Sequence, residues 1–101
     1  MFATLALGLM LQQAAAPSAA DLADAKCAGA MLTVSGQLKE PAEKAGVDGM
    51  MMFYIGKIIG RSGATAVRPA LEAAAALLDA VALPQLAESC ATEGQKAMDS
   101  M

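Results

Sequence analysis

From Asp21 onward, apolar residues return at the three- and four-residue spacing of helices, while runs of Ile, Val, Thr and Tyr at the two-residue spacing of strands are scarce. Cys27, Met31, Val34 and Leu38 fall on one helical face, with Asp21 placed to cap the first turn and Asp24 three residues on. Pro41 suits the first turn of a second helix, which runs to about Gly60 and stops at Gly60-Arg61-Ser62-Gly63. A third helix is predicted from about Thr65 or Pro69 to Leu83, with Leu71, Ala74, Leu78 and Val81 as its stripe. Pro84 opens the last, in which Leu86, Cys90, Ala97 and Met101 share a side. The pattern predicts an all-α fold: one small four-helix domain, with no internal repeat and no long linker.

The second helix carries the most unusual stretch, Gly49 to Gly63. On a helical wheel Val47, Met51, Tyr54 and Ile58 cluster, flanked by Met50 and Ile55. Gly49, Gly56 and Gly60 fall together on the opposite side, and Glu43, Lys57 and Arg61 share a narrow strip. Each helical glycine costs roughly 1 kcal/mol relative to alanine, so three in register ask for a packing reason. The expectation is a central helix, bulky toward one neighbour, whose three glycines admit another backbone closely.

The N-terminal stretch changes the compartment. Phe2 to Leu11 is an uninterrupted apolar run of the length of a signal-peptide core, too short to cross a bilayer as a helix. Gln12 and Gln13 end it, and the small residues of Ala14-Ala15-Ala16-Pro17-Ser18-Ala19-Ala20 offer a peptidase site. Residues 1–20 are read as a signal peptide cut before Asp21, and 21–101 as the mature domain; the other reading of the run is a buried N-terminal helix. A lipid anchor on Cys27 is disfavoured by Asp24-Ala25-Lys26 before it, so no stable membrane anchor is expected. Two cysteines, Cys27 and Cys90, both follow the proposed cut. An even pair in a short exported chain reads as a disulfide, here joining the first and last helices, where unrelated buried thiols would be the intracellular alternative. Closing a loop of this length stabilises by about 4 kcal/mol in the chain-entropy model. The location implied is periplasmic or secreted.

Composition narrows the function. Of 101 residues, 56% are hydrophobic and 17% charged, too apolar for a disordered chain. The formal charge of -3 with scattered basic residues offers no footprint for nucleic acid. With no histidine, one tyrosine and no evident carboxylate pair on an apolar face, general acid-base catalysis has little to draw on, and a non-enzyme is expected. Gly56-Lys57 is followed by Ile58 where a phosphate loop needs Ser or Thr, and Ser62 in Gly60-Arg61-Ser62-Gly63-Ala64 misses the nucleophile elbow by its last glycine. No cofactor or metal is expected. Met50, Met51 and Met52 could bind Cu(I) as soft thioethers, but consecutive helical residues do not face one point. With Phe53 and Tyr54 they are instead candidates for binding an apolar protein partner.

A cysteine in the first mature helix, a central Phe53-Tyr54-Ile55-Gly56-Lys57-Ile58-Ile59-Gly60-Arg61 helix, and a second cysteine after a proline-started last helix give a layout that resembles uncharacterised small exported helical proteins of Gram-negative bacteria. It is more distantly similar to the HdeA-type periplasmic acid-stress chaperones. That resemblance implies acid-triggered loosening that exposes apolar surface to unfolding clients; this chain departs from it in being less charged and richer in alanine. The expected function is binding of unfolding clients through protein–protein contacts. A small periplasmic inhibitor of the immunity type and a Cu(I)-binding protein are the alternatives.

Overall fold

The computed structural model describes residues 16–101. The apolar run Phe2 to Leu11 therefore lies outside the described residues. Among the described residues four α-helices follow one another: α1 (Ala19–Gln37), α2 (Pro41–Ser62), α3 (Val67–Leu77) and α4 (Leu83–Asp99), with a 3₁₀ turn at Ala64–Ala66 between α2 and α3. The fold is all-α, and the Cys27–Cys90 disulfide joins its first and last helices, with Cα atoms 5.4 Å apart.

Local chemistry explains the boundaries. Ser18, not Asp21, caps α1: its hydroxyl accepts the Asp21 amide at 3.1 Å. A cut before Asp21 would remove that cap. α1 ends at Gln37, with Leu38 already extended, and Glu40 is extended because Pro41 follows it. The same proline starts α2, where its missing amide is no loss. Gly63, at φ +88°, then turns the chain out of α2. α3 ends at Leu77, short of the Leu83 that its apolar stripe predicts. The Asp79 carboxylate accepts the Val81 amide at 3.0 Å, and this turn competes with continued helix. Val81 is consequently 89% exposed, and Met101 lies outside α4 in the open.

The central helix is α1, not α2. It packs against α2, α3 and α4, and Ala25, Ala28, Ala30, Cys27 and Met31 are buried around it. Alanine permits this, since a helix enclosed on several sides needs small side chains wherever a neighbour comes close. Gly29 faces α3 so closely that a Cβ there would sit 3.0 Å from Leu78 Cδ1. The glycines of α2 behave differently: a Cβ at Gly49, Gly56 or Gly60 would meet nothing within 4 Å. Among the described residues these three admit no second backbone, and their face of α2 is open.

Two apolar clusters form the interior. Cys27, Ala28, Ala30, Met31, Tyr54, Ala87 and Cys90 make one, and Ala25, Ile58, Ala70 and Ala74 the other. The largest fully enclosed side chains are Tyr54, Met31, Ile58 and Cys90, a thin core even for a small domain.

Candidate functional site

The antiparallel α1–α2 hairpin brings the start of α1 against the end of α2. Asp21 and Asp24, one turn apart on α1, both face α2 and are only 3% and 6% exposed. Arg61, in the last turn of α2, spans them: Nη1 lies 2.6 Å from Asp21 Oδ1 and Nη2 2.8 Å from Asp24 Oδ2. The Ser62 hydroxyl donates to Asp21 Oδ2 at 2.6 Å. One turn back, Lys57 Nζ reaches Asp24 Oδ1 at 3.1 Å and Glu93 of α4 at 3.2 Å. This clasp ties three helices through five charged groups, of which Asp21 and Asp24 are buried.

Charge placement suits the helix ends as well as the pairs. Asp21 sits at the positive end of α1 and Arg61 at the negative end of α2. The Ser62 hydroxyl, foremost, and the Arg61 guanidinium hold Asp21 below its ordinary 3.8 although burial opposes them. Burial works to lower Lys57, but the Asp24 and Glu93 carboxylates outweigh it and the ammonium titrates above its ordinary value. Arg61 is raised by its bonds to Asp24 and then Asp21. An aspartate held ionised is a poor proton donor at neutral pH, so Asp21 is suited to holding helices together rather than to acid catalysis.

Two further polar contacts complete the framework. At the hairpin's other end the Ser35 hydroxyl donates to Asp48 at 2.6 Å. Tyr54, wholly enclosed, donates its hydroxyl to the Cys90 carbonyl at 2.5 Å. Burial first, then the Glu93 and Asp24 charges, push its phenol up to about 12. Among the described residues no buried side-chain nitrogen or oxygen lacks a partner.

The predicted partner-binding residues do not form one surface. Met50 lies against Gly94 of α4, Met51 is half-buried in the first cluster, and Met52 points out, 58% exposed. Phe53 is half-buried, with Lys57 Nζ 5.5 Å from its ring centre. Tyr54 is an interior residue and no part of a surface, because its ring is the largest enclosed side chain of the core. The clasp itself escapes a reading of single faces. Lys57 and Arg61 share a strip on α2, and Asp24, Ala28, Met31 and Ser35 share a face of α1, but only a pairing of the two helices matches them. A carboxylate on the Ala28–Met31 face was the available signal.

Compared with known protein families, with curated proteins and with solved structures, the chain finds no match. No helix among the described residues is long and apolar enough to cross a membrane.

Proposed function

We propose that this chain is an exported, non-enzymatic binder of unfolding protein clients, closed at neutral pH by the Asp21–Asp24–Arg61 clasp and opened by acid. The observation that carries this reading is the burial of both aspartates between α1 and α2. Both carboxylates are buried, so neutralising either removes a bond that a buried anion needs, a loss that water moderates because Arg61 and Lys57 are about a third exposed.

The sign follows from Asp21. Its folded pKa is below the unfolded value, so its contribution is complete above about pH 4 and is lost as pH falls through the lower folded value. Complete protonation of the chain's ten carboxylates also leaves seven basic residues and strong self-repulsion. The core is thin, so loss of the clasp would let α2 move off α1 and uncover Ile58, Ala25 and Met31, next to the already exposed Met52 and Ile59. The disulfide keeps α1 and α4 tied meanwhile and supports an oxidising location, periplasmic or secreted.

Light scattering of an acid-labile client protein tests the reading. Suppression of client aggregation near pH 2.5 and none at pH 7 is the expected result. Equal scattering with and without the protein at both values would remove the client-binding role, and tight one-to-one capture of a single partner at neutral pH would favour an inhibitor.

A further inference from the structure

The Cys27–Cys90 bond lies on the wall of a surface groove of about 350 Å³ between α1 and α4. Leu22 and Lys26 line it from α1, and Leu86 and Ser89 from α4. Glu93 also lines it, with its charge engaged by Lys57, whereas Lys26 makes no ion pair among the described residues. A disulfide that serves only as a staple is best sealed from solvent. This one is sealed on its Cys90 side, 1% exposed, and keeps 8% exposure at Cys27, where the groove and the Lys26 ammonium meet the bond and would draw an anionic thiolate.

What the bond holds is also distinctive. The buried residues of α4 are Ala87, Cys90 and Gly94, two of which have almost no side chain. Its other ties are the partial packing of Leu83, Leu86 and Ala91 on the first cluster, the Tyr54 hydroxyl on the Cys90 carbonyl and the exposed Lys57–Glu93 pair. α4 is the last helix, joined to α3 by an irregular stretch, so it can leave without pulling on the rest of the chain. The α1–α2 clasp and the Ala25–Ile58–Ala70–Ala74 cluster lie outside it.

We propose that Cys27–Cys90 is a redox-sensitive site, reduced in the folded protein by a small dithiol entering this groove, and that its reduction releases α4 as a unit from α1–α3. A thiolate of the dithiol attacks one sulfur, the S–S bond breaks, and a mixed disulfide forms with one protein thiolate set free. The reductant's second thiol then closes on the mixed disulfide, freeing the other cysteine. The dithiol leaves as its cyclic disulfide, having given two electrons, and both protein sulfurs finish as thiols after taking up protons. Released, α4 uncovers Met50 and Tyr54, which it covers through Gly94 and Cys90. This device acts at neutral pH and leaves the Asp21–Asp24–Arg61 contacts in place, although it parts Lys57 from Glu93.

The test is hydrogen exchange read by mass spectrometry on the full chain, with and without dithiothreitol at pH 7.5, and with alkylation to count free thiols. The expected result is two free thiols, loss of protection confined to residues 83–99, and retained protection in α1, α2 and α3. A C27S/C90S variant should show the same pattern without reductant. Loss of protection in all four helices, retained protection in α4 after reduction, or a disulfide that resists dithiothreitol until denaturant unfolds the chain would each overturn the proposal.

Discussion

Arg61 holds Asp21 and Asp24 with a single guanidinium, at 2.6 and 2.8 Å, so the last turn of α2 grips the first turns of α1 with both arms of one side chain. A planar fork matched to two carboxylates gives directional bonds that a lysine's point charge does not. R61A leaves Asp21 with only hydroxyl partners and Asp24 with only Lys57. The variant should begin to bind apolar dye at a higher pH than the parent, and should melt at a lower temperature at pH 7. R61K should fall between the two. Because Arg61 is itself 37% exposed, water moderates the loss, and a folded R61A at neutral pH is the expected outcome.

Tyr54 gives an alkaline counterpart. It is the chain's one tyrosine, so phenolate absorbance reads it alone. With its pKa pushed up to about 12, stability linked to it is complete below about pH 10 and is lost as pH rises through the folded value. Lys57, also raised, loses its share in the same direction. A spectrophotometric titration should show little phenolate at pH 10.5, where an exposed tyrosine would be mostly ionised. Y54F removes the bond to the Cys90 carbonyl and should cost about 1 kcal/mol in chemical denaturation.

The glycines of α2 and α1 should respond in opposite ways. Gly56→Ala and Gly60→Ala place a methyl in open space within a helix and should each stabilise by about 1 kcal/mol. Gly29→Ala gains the same propensity, but its methyl must displace Leu78 Cδ1 at 3.0 Å, so the gain should shrink or reverse. Thermal melts of the three variants decide it. A destabilised Gly56→Ala would mean that the open face of α2 is occupied in solution.

Adjacent isoleucines provide a direct check on the interior. Ile58 is fully enclosed between α1, α2 and α3, and Ile59 is 44% exposed. I58A should cost about 2–5 kcal/mol, a large share of what a domain this small has, and I59A within about 0.5 kcal/mol of zero. Urea midpoints of the pair measure the difference.

Much of the fold was legible because punctuation residues act locally. Pro41, Gly63 and Pro84 mark helix ends by constraints on one or two dihedrals, and the spacing of Cys27 and Cys90 on inward stripes anticipated the disulfide. What was not legible depends on partners distant in sequence. The glycine stripe gives α2 the look of a central helix, but centrality belongs to alanine-rich α1, whose small residues show no bulky face to a wheel. Val81 continues the period of α3, yet Leu78 is already extended and the Asp79 carboxylate holds the Val81 amide in a turn. The clasp joins Asp21 to Arg61 across forty positions, and a reading of single faces assigns each only to its own helix.

The central claim is that the Asp21–Asp24–Arg61 clasp keeps an apolar interior shut. The most direct measurement is apolar-dye fluorescence, with helix content monitored alongside, for the parent chain from pH 7 to pH 2 and for a D21N/D24N variant held at pH 7. The account predicts that the parent stays dark until the pH falls below about 4 and then binds dye while retaining helix, as partly opened states do. It predicts that the neutral variant already binds dye at pH 7. A parent that stays dark to pH 2, or a D21N/D24N variant as closed at pH 7 as its parent, would contradict it.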